Sequence, residues 1–206
     1  MARFITFEGV EGSGKSTQIE LTSAWLGQKG IRHTATREPG GTKAGESIRQ
    51  LLLHQTDVQL SPLTEAALFT AARQQLLQEI ILPSLNSGSW VLCDRFIDST
   101  IAYQGYGRGV GEEKIRRMHS IIGNIMPDIT FFLDVSVETG LKRLHPGVRD
   151  RFESMDFSFH KRVRDAYLVL YKKEPNRIVI LDGTRPAEDI QAEIQERLAP
   201  WCKTTS

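Results

Sequence analysis

The stretch FEGVEGSGKST near the N-terminus has residue types and a spacing that can bind phosphate. The pattern G-x-x-x-x-G-K-[ST] is matched by Gly9, Gly14, Lys15 and Ser16. In this pattern the glycines let backbone N–H groups close around phosphates, the lysine reaches the β- and γ-phosphates, and the hydroxyl is offered to Mg²⁺. A strand-like segment precedes the match and a helix-like segment follows it, which is the context that the pattern requires. We therefore predict that residues 9–16 form a phosphate-binding loop.

The same loop contains a carboxylate, Glu11, although such loops attract anions with backbone N–H groups and a lysine. A negative charge at this place does not help to bind the phosphates of a nucleotide. The loop sequence therefore raises the question of which other group Glu11 binds.

Two charged residues follow the apolar run WVLC. Asp94 comes directly after this strand-like run, and Arg95 is next. An Asp-Arg pair taken alone is more often a surface ion pair, but a carboxylate at a strand end beside a phosphate loop is the usual magnesium partner. We therefore predict that Ser16 and Asp94 hold Mg²⁺. Arg95 is predicted to bind a second phosphate in the same cleft, because its planar guanidinium suits bidentate contact.

Arginines in two further segments could add positive charge to this cleft. Arg37 lies at a strand end in REPGGT, and Arg149 and Arg151 lie in GVRDRFE. An arginine in a polar loop is usually a solvated charge, but phosphoryl transfer requires cationic donors around the moving group, often from a closing loop. Arg149 and Arg151 are therefore predicted to be catalytic, together with Lys15 and Arg95, with Arg151 the first candidate of the two loop arginines and Arg149 the alternative.

These residues must be positioned by a fold, and the sequence pattern indicates which one. Short apolar runs alternate with longer helix-like segments, as in a parallel sheet with helices on both faces. The runs are 4–7, 33–36, 90–93, 129–133 and 178–181. The helix-like segments are 16–28, 44–53, 62–82, 112–125, 137–144, 157–171 and 187–198, the third with Ser61 as its N-cap and Pro83 as its end. We predict one α/β domain over residues 1–206 with a five-stranded parallel sheet.

Three segments are predicted to be irregular, namely 37–42, 103–111 and 145–154. They contain glycine, arginine or both. In a sheet of this kind, such loops gather at the carboxyl ends of the strands, where ligands bind.

The composition of the 206 residues limits the possible partners. The chain is 40% hydrophobic and 25% charged with a formal net charge of +1, so it has no overall attraction to nucleic acid or to a membrane. It has no run of 18 apolar residues and no basic-then-apolar leader, and Cys93 and Cys202 show no metal-binding or redox spacing. We predict a cytoplasmic protein.

In order and at suitable spacing, the segments FEGVEGSGKST, TREPGGT, FTAARQQ, CDRFIDSTIAYQG and LKR followed by DRFE resemble thymidylate kinase over nearly the whole chain. The resemblance implies a nucleoside-monophosphate-kinase fold and the ATP-dependent conversion of dTMP to dTDP for dTTP synthesis. It implies a phosphate loop at 9–16, an acceptor-binding region at about 37–111 and a lid at about 143–156. The bacterial type of this family carries its catalytic arginine in the lid, which agrees with Arg149 and Arg151.

The resemblance also answers the question raised by Glu11. In this family the acidic residue within the loop faces the acceptor and binds the 3′-hydroxyl of its deoxyribose. The implied dTMP-binding residues are Glu11, Arg37, Phe69, Arg73, Asp94, Arg95, Thr100, Tyr103 and Gln104. The implied ATP-binding residues are Gly9, Val10, Glu11, Gly12, Ser13, Gly14, Lys15, Ser16, Thr17 and Arg143.

Several of these residues have a defined role in the family. Arg37 and Arg95 would bind the acceptor phosphate, and Arg73 would donate to thymine O4. Thr100 and Gln104 would contact the base edge, Tyr103 would pack beneath the sugar, and Phe69 would stack on thymine. By its sequence alone, an aromatic residue on an alanine-rich helix is more often part of the core.

Two other classes of protein remain alternatives. One is a different nucleotide or nucleoside kinase, and the other is a phosphate-loop ATPase that acts as a switch. The arginines available for a second phosphate favour a kinase, and the sequence lacks the guanine-binding motif N-K-x-D of many switches.

The long helix predicted at 62–82 has apolar residues on more than one face. They are Leu63, Ala66, Ala67, Phe69, Leu76, Leu77, Ile80 and Ile81. One face can pack on the sheet while another contacts a partner. Together with the resemblance, this pattern predicts a symmetric homodimer.

Overall fold

The computed structural model describes residues 1–55, 57–144 and 150–202, and strands within these ranges form one five-stranded sheet. The strands are β1 (Phe4–Glu8), β2 (His33–Arg37), β3 (Trp90–Asp94), β4 (Ile129–Asp134) and β5 (Ile178–Asp182). Their order across the sheet is β2-β3-β1-β4-β5, and all neighbouring strands are parallel. The predicted parallel sheet is confirmed.

Each strand extends one residue beyond its predicted end, and the added residue is charged in every case. These residues are Glu8, Arg37, Asp94, Asp134 and Asp182. The charge interrupts the apolar pattern, but backbone pairing continues through it, since Arg37 pairs with Asp94 and Asp134 pairs with Asp182. Charged side chains therefore collect at the carboxyl edge of the sheet, where the central strand β1 delivers the phosphate loop.

Helices cover both faces of the sheet, as predicted. In the described ranges they are α1 (Lys15–Gln28), α2 (Lys43–Arg49), α3 (Pro62–Leu76), α4 (Leu82–Asn86), α5 (Ile97–Thr100), α6 (Glu112–Ile121), α7 (Val137–Arg143), α8 (Phe157–Lys173) and α9 (Ala187–Cys202). Helices α2, α3 and α5 each continue into a π-helical turn, at Gln50–His54, Leu77–Ile81 and Ile101–Gly107. No helix within the described ranges is long and apolar enough to cross a bilayer.

The alternation of side chains along β1 divides the core into two layers. Ile5 and Phe7 pack with buried residues of α1 and α9 on one face. Phe4 faces the other way and packs with buried residues of α3 and α8. This alternation is the period of two expected for a strand, and it determines to which face of the sheet the last residues before the phosphate loop point.

Three predicted helix ends are wrong, and one of them is that of the last helix, which runs to Cys202 instead of ending at residue 198. The helix predicted to stop at Pro83 continues to Asn86, because the preceding π-helical turn leaves Pro83 in the first turn of α4, where a missing N–H costs little. The helix predicted to run to residue 125 ends at Ile121, since Gly123 and Asn124 have left-handed φ angles of 105° and 52°. Ser61 is confirmed as an N-cap, because its side chain accepts from the backbone of Thr64.

The prediction that residues 103–111 are irregular is wrong for their first half. Helix α5 passes into the π-helical turn Ile101–Gly107, and most of this turn is buried. Its glycines suggested a loop, but one of them permits close packing, since a Cβ on Gly107 would lie 2.6 Å from the ring of Phe159 on α8. Several predicted site residues therefore lie on a buried helical segment.

His119 on α6 makes stability depend on pH. Burial lowers its pKa from 6.5 to about 4, and the nearby Arg73 adds repulsion. Because the folded-state pKa lies below the unfolded value, the stability from a neutral His119 is present above pH 6.5 and is lost as the pH falls toward 4. Between pH 7.5 and pH 5 this loss is about 2 kcal/mol.

We therefore expect His119→Gln to reduce the fall in unfolding free energy between pH 7.5 and pH 5, as measured by urea denaturation. His54→Gln, at an exposed histidine, is the matched control and should keep the wild-type pH dependence. An equal fall in wild type and His119→Gln would contradict the assignment.

Candidate active site

The phosphate loop runs from β1 to the start of α1. Gly9 has a φ of 148°, and a Cβ there would lie 2.7 Å from the carbonyl oxygen of Leu133, so a larger residue is excluded. Lys15 Nζ donates to the carbonyl oxygens of Gly9 and Val10 at 3.2 and 3.1 Å. Burial, with Arg95 nearby, lowers the pKa of Lys15 to about 8. The loop thus combines a buried amine with a helix N-terminus, as phosphate binding requires.

A cavity of about 550 Å³ lies over the loop and the first turn of α1. It is lined by Gly12, Ser13, Gly14, Lys15, Ser16, Thr17, Gln18, Leu133, Arg143, Gly183, Arg185, Ala187 and Ile190. Arg143 on α7 donates to the carbonyl oxygen of Gly183 at 2.9 Å. The predicted ATP-binding residues from Gly12 to Thr17 are therefore joined here by Arg143, and Gly183 and Arg185 of the loop after β5 line the same cavity.

A second cavity, of about 240 Å³, shares Gly12, Lys15 and Ser16 with the first. Seven of the predicted acceptor-binding residues line it, namely Glu11, Phe69, Asp94, Arg95, Thr100, Tyr103 and Gln104. Its remaining lining residues are Glu38, Pro39, Arg49, Leu53, Ser99, Leu144, Asp150, Phe152 and Glu153. The two cavities therefore meet at the phosphate loop.

Glu11 is enclosed by hydrogen-bond donors in the smaller cavity. The hydroxyl of Tyr103 donates to its Oε1 and Oε2 at 2.8 and 2.7 Å, and Arg95 Nη2 donates to Oε1 at 2.9 Å. Burial alone would raise the pKa of Glu11, but Arg95, Lys15 and the Tyr103 hydroxyl together hold that pKa below its ordinary value. Glu11 is therefore a carboxylate at neutral pH, and it faces the smaller cavity.

Arg95 connects the end of β3 to the phosphate loop. Its backbone φ of 68° is uncommon for a residue with a Cβ, and such backbone conformations cluster at functional sites. Nη1 donates to the carbonyl oxygen of Gly9 at 2.9 Å, and the guanidinium carbon lies 5.0 Å from the centre of the Tyr103 ring. Burial would lower the pKa of Arg95, but Tyr103 and Glu11 raise it, so the guanidinium remains charged.

The predicted metal pair is brought together by β3 and α1. Ser16 Oγ donates to Asp94 Oδ2 at 3.4 Å. The other carboxylate oxygen, Asp94 Oδ1, is buried and has no hydrogen-bond partner among the described residues. A buried oxygen without a donor fits a cation ligand, because it would otherwise lose hydration without compensation.

Arg73 lies behind the cavity wall and holds two residues that line it. Its Nε and Nη2 donate to the carboxylate of Glu38 at 2.6 to 3.0 Å, and Nη2 also donates to Thr100 Oγ1 at 2.6 Å. Nη1 is buried with no partner in the described part of the chain. Glu38 was not predicted, although it follows Arg37 in REPGGT.

Arg37 does not line either cavity. Its side chain is 53% exposed and pairs with Glu46 at 2.8 Å. Arg49 lines the smaller cavity instead and donates to the carbonyl oxygen of Pro39 at 2.9 Å. Sequence reasoning missed Arg49 because it lies within a helix and outside any recognisable motif.

Three aromatic residues form one wall of the smaller cavity. The ring of Phe152 lies 5.9 Å from Phe69 and 6.1 Å from Tyr103, measured between ring centres. Phe69 is half-buried and lines the cavity, as expected for a residue that contacts a base. Phe152 follows the predicted catalytic Arg151, but its aromatic role was not predicted.

Arg151 lies against backbone carbonyl groups rather than in either cavity. Its Nε donates to the carbonyl oxygen of Leu52 at 2.8 Å, and its Nη2 donates to those of Gln55 and Val58 at 2.6 and 2.8 Å. These contacts attach the predicted lid to the end of the π-helical turn after α2. Arg149 lies outside the described residues.

A phosphate loop at the centre of a parallel sheet, with a second cavity on the same lysine, defines a phosphate-loop kinase that transfers a phosphoryl group to a nucleotide. Comparison with known proteins identifies the family. Residues 7–194 match the family model for thymidylate kinase, and the chain belongs to this family. The members of this family convert dTMP to dTDP with ATP, so the protein is a phosphotransferase.

Individual relatives agree over nearly the full length of the chain. A thymidylate kinase of Kosmotoga olearia is 44% identical over 193 residues, which cover 93% of this chain and 92% of that protein. A thymidylate kinase of Bradyrhizobium is 47% identical over 91% of this chain and 85% of that protein. The crystal structure of thymidylate kinase from Ehrlichia chaffeensis superposes with a TM-score of 0.77 at 37% identity, covering 96% of this chain and 98% of that one.

Proposed function

We propose that the 240 Å³ cavity binds dTMP and the 550 Å³ cavity binds ATP, and that the phosphoryl group passes between them over the phosphate loop. The observation that carries this proposal is the sharing of Gly12, Lys15 and Ser16 by the two cavities. Lys15 can then contact the phosphoryl group as it passes from one cavity to the other. An ATPase switch needs no second nucleotide-sized cavity at this place.

Glu11 binds the acceptor side in this proposal. As an ionised carboxylate held by Tyr103 and Arg95, it accepts a hydrogen bond from the 3′-hydroxyl of deoxyribose. The rings of Phe69 and Phe152 flank the base. Arg95 and Arg49 contact the acceptor phosphate inside the cavity, and Arg37 joins them from its exposed position.

Ser16 and Asp94 hold Mg²⁺, and the unpartnered Oδ1 of Asp94 supports this assignment. Bound Mg²⁺ would neutralise charge on the donor phosphates. Phosphoryl transfer needs little covalent assistance, so the protein acts by aligning the two substrates and by placing cationic donors around the transferred group. Lys15 supplies one of these donors, and the helix α1 directs backbone N–H groups at the same site.

Thymine is recognised by a donor from Arg73. Because arginine can only donate, its free Nη1 suits the O4 acceptor of thymine and uracil and rejects the amino group of cytosine. We expect kcat/KM to decrease in the order dTMP, dUMP, dCMP. The missing methyl of dUMP should cost about 1 to 3 kcal/mol, whereas dCMP should be rejected by roughly ten-thousandfold. Steady-state assays of ADP release with each acceptor, and without acceptor, test this order.

The variant that tests Arg73 must not leave Glu38 buried and unpaired. Arg73→Met combined with Glu38→Gln should narrow the gap between dTMP and dCMP, chiefly by impairing dTMP. Glu38→Asp, which keeps a carboxylate opposite Arg73, is the control and should keep the preference for dTMP. Equal use of dCMP and dTMP by the unmodified protein would overturn the base assignment, and ADP release that is indifferent to acceptor would overturn the kinase assignment.

The lid supplies a further cation to the transferred phosphoryl group. From the sequence, Arg151 was the first candidate and Arg149 the second. The three carbonyl acceptors of Arg151 reverse this preference, because charge-assisted hydrogen bonds contribute about 1.5 to 3 kcal/mol each and would have to be broken. We therefore assign the phosphoryl contact to Arg149 and an anchoring role to Arg151.

Arg149→Ala should lower kcat by on the order of a thousandfold with a much smaller change in the KM for dTMP. Arg151→Ala should instead lower the unfolding free energy by about 1 to 3 kcal/mol, because three carbonyl groups lose their donor. Arg117→Ala removes a surface arginine and is the control for stability. An Arg151→Ala protein with wild-type stability and a thousandfold lower kcat would return the catalytic role to Arg151.

The protein forms a homodimer through the outer face of α3 and works in the cytoplasm, where ATP is available. Ala66, Leu76, Leu77 and Ile81 are buried, whereas Leu63 is 55% exposed. The inner face of α3 is already packed against the core. An exposed apolar side chain on its outer face therefore supports a contact with a partner there.

Light scattering at micromolar concentration should give twice the chain mass of 23.2 kDa. Leu63→Glu should shift the protein toward monomer, because it places a charge in the contact. Ile121→Glu, at an 84% exposed position on α6, is the matched control and should leave the mass unchanged. A monomeric wild-type protein would refute the proposed dimer.

A further inference from the structure

Glu8 is a fully buried carboxylate that the proposed mechanism does not use. It is the last residue of β1, directly before the phosphate loop, and it has no exposed surface. The backbone N–H of Phe96 donates to its Oε1 at 2.7 Å. The hydroxyl groups of Ser99 and Tyr167 donate to its Oε2 at 2.5 and 2.9 Å. Strand β1, the start of α5 and helix α8 therefore meet at this one side chain.

The same two hydroxyl groups also contact Arg95. Arg95 Nη1 donates to Ser99 Oγ at 3.1 Å and to the Tyr167 hydroxyl at 3.5 Å. An ionised carboxylate can only accept, so it draws the hydroxyl hydrogens toward itself, either directly or along the 2.8 Å hydrogen bond between Ser99 Oγ and the Tyr167 hydroxyl. The oxygen lone pairs of the hydroxyl groups are then available to the guanidinium. Glu8 thus fixes the direction of the hydrogen bonds that reach Arg95.

We propose that Glu8 is a positioning residue for Arg95 and acts through the hydroxyl groups of Ser99 and Tyr167. Nη1 of Arg95 is held by these two oxygens and by the carbonyl oxygen of Gly9, which leaves Nη2 directed at Glu11 in the smaller cavity. This inference rests on the proposed role of Arg95 at the acceptor phosphate. An amide in place of the carboxylate presents a donor to one of the hydroxyl groups, which then turns its hydrogen toward Arg95 and repels it.

Because Glu8 can be protonated, the inference also predicts how activity depends on pH. Burial and, after it, the neighbouring Asp98 raise the pKa of Glu8 to about 7, against the hydrogen bond from Ser99 and the charge of Arg95. The charged and titratable groups around it are Asp98 on α5, Arg95 and Cys93 at the end of β3, Lys15 on α1 and Tyr167 on α8. The ionised form is the one that orders the two hydroxyl groups, so positioning of Arg95 should improve as the pH rises through 7.

The experiment is a double-mutant cycle on kcat/KM for dTMP with Glu8→Gln, Arg95→Ala and the combined variant. Glu8→Gln should lower kcat/KM roughly 10- to 100-fold, the range found for outer-shell partners of functional groups, mainly by raising the KM for dTMP and not that for ATP. The combined variant should be no worse than Arg95→Ala. The ratio of wild-type to Glu8→Gln activity should rise from pH 6 to pH 8.

Glu174→Gln is the matched control, because Glu174 is a partly buried carboxylate bonded to Arg116 and Arg177 and lines neither cavity. It should keep the wild-type kcat/KM. Thermal unfolding at pH 6 and pH 8 checks that Glu8→Gln is folded. Since the folded-state pKa of Glu8 is raised, the wild-type protein loses stability as the pH rises toward 7. The unfolding temperature of Glu8→Gln should therefore rise relative to that of the wild type over the same range.

The outcomes separate the two proposals. If Arg95→Ala is impaired but Glu8→Gln is not, or if the two losses multiply in the combined variant, Glu8 does not act through Arg95 and this inference is overturned. A constant ratio of activities from pH 6 to pH 8 also overturns it. If Arg95→Ala has wild-type kcat/KM, the proposed role of Arg95 fails, and the positioning role of Glu8 fails with it.

Discussion

The ion pair between Arg95 and Glu11 joins the two halves of the site. Arg95 follows β3 and Glu11 lies in the loop after β1, so the contact connects neighbouring strands at the carboxyl edge of the sheet. Both side chains are largely buried, and a buried charge is tolerated only when it is paired and hydrogen-bonded. Tyr103 and Gly9 complete that pairing. The shape of the smaller cavity therefore depends on this contact, since Glu11 and Arg95 both line it.

The uncommon backbone of Arg95 is explained by the same contact. A left-handed residue with a Cβ costs of order 1 to 3 kcal/mol and persists only where its surroundings determine it. Here the guanidinium meets the phosphate loop, helix α5 and helix α8 through Gly9, Ser99 and Tyr167. The strain at one residue is thus offset by hydrogen bonds to three separate elements. A substitution in any of them should alter the contact between Arg95 and the phosphate loop.

The sequence allowed the sheet, the phosphate loop and most of the lining of the smaller cavity to be predicted, because periodicity and short motifs report local order. It could not reveal Glu8, Glu38, Arg49 or Phe152, whose contacts at the site form only when distant elements pack together. The charge of Glu8 also worked against detection, since a charged residue ends an apolar run. Each strand was predicted one residue too short for this reason, and those omitted residues include Glu8 and Asp94. The catalytic role of Arg151 stays a prediction, and the motif does not reveal that its guanidinium is already bonded to backbone carbonyl groups.

The charge balance at the loop explains why the kinase needs cations from elsewhere. Glu8, Glu11 and Asp94 face Lys15 and Arg95, so the carboxylates of the described residues at least balance the two cations before any phosphate binds. Burial opposes both kinds of charge here, since it raises the pKa of Glu8 to about 7 and lowers that of Lys15 to about 8. Two phosphorylated substrates add several further negative charges in a low-dielectric cleft, where their repulsion is large. A loop of this composition can align two phosphorylated substrates but cannot neutralise them, so further cationic groups around the transferred phosphoryl group would favour the transfer.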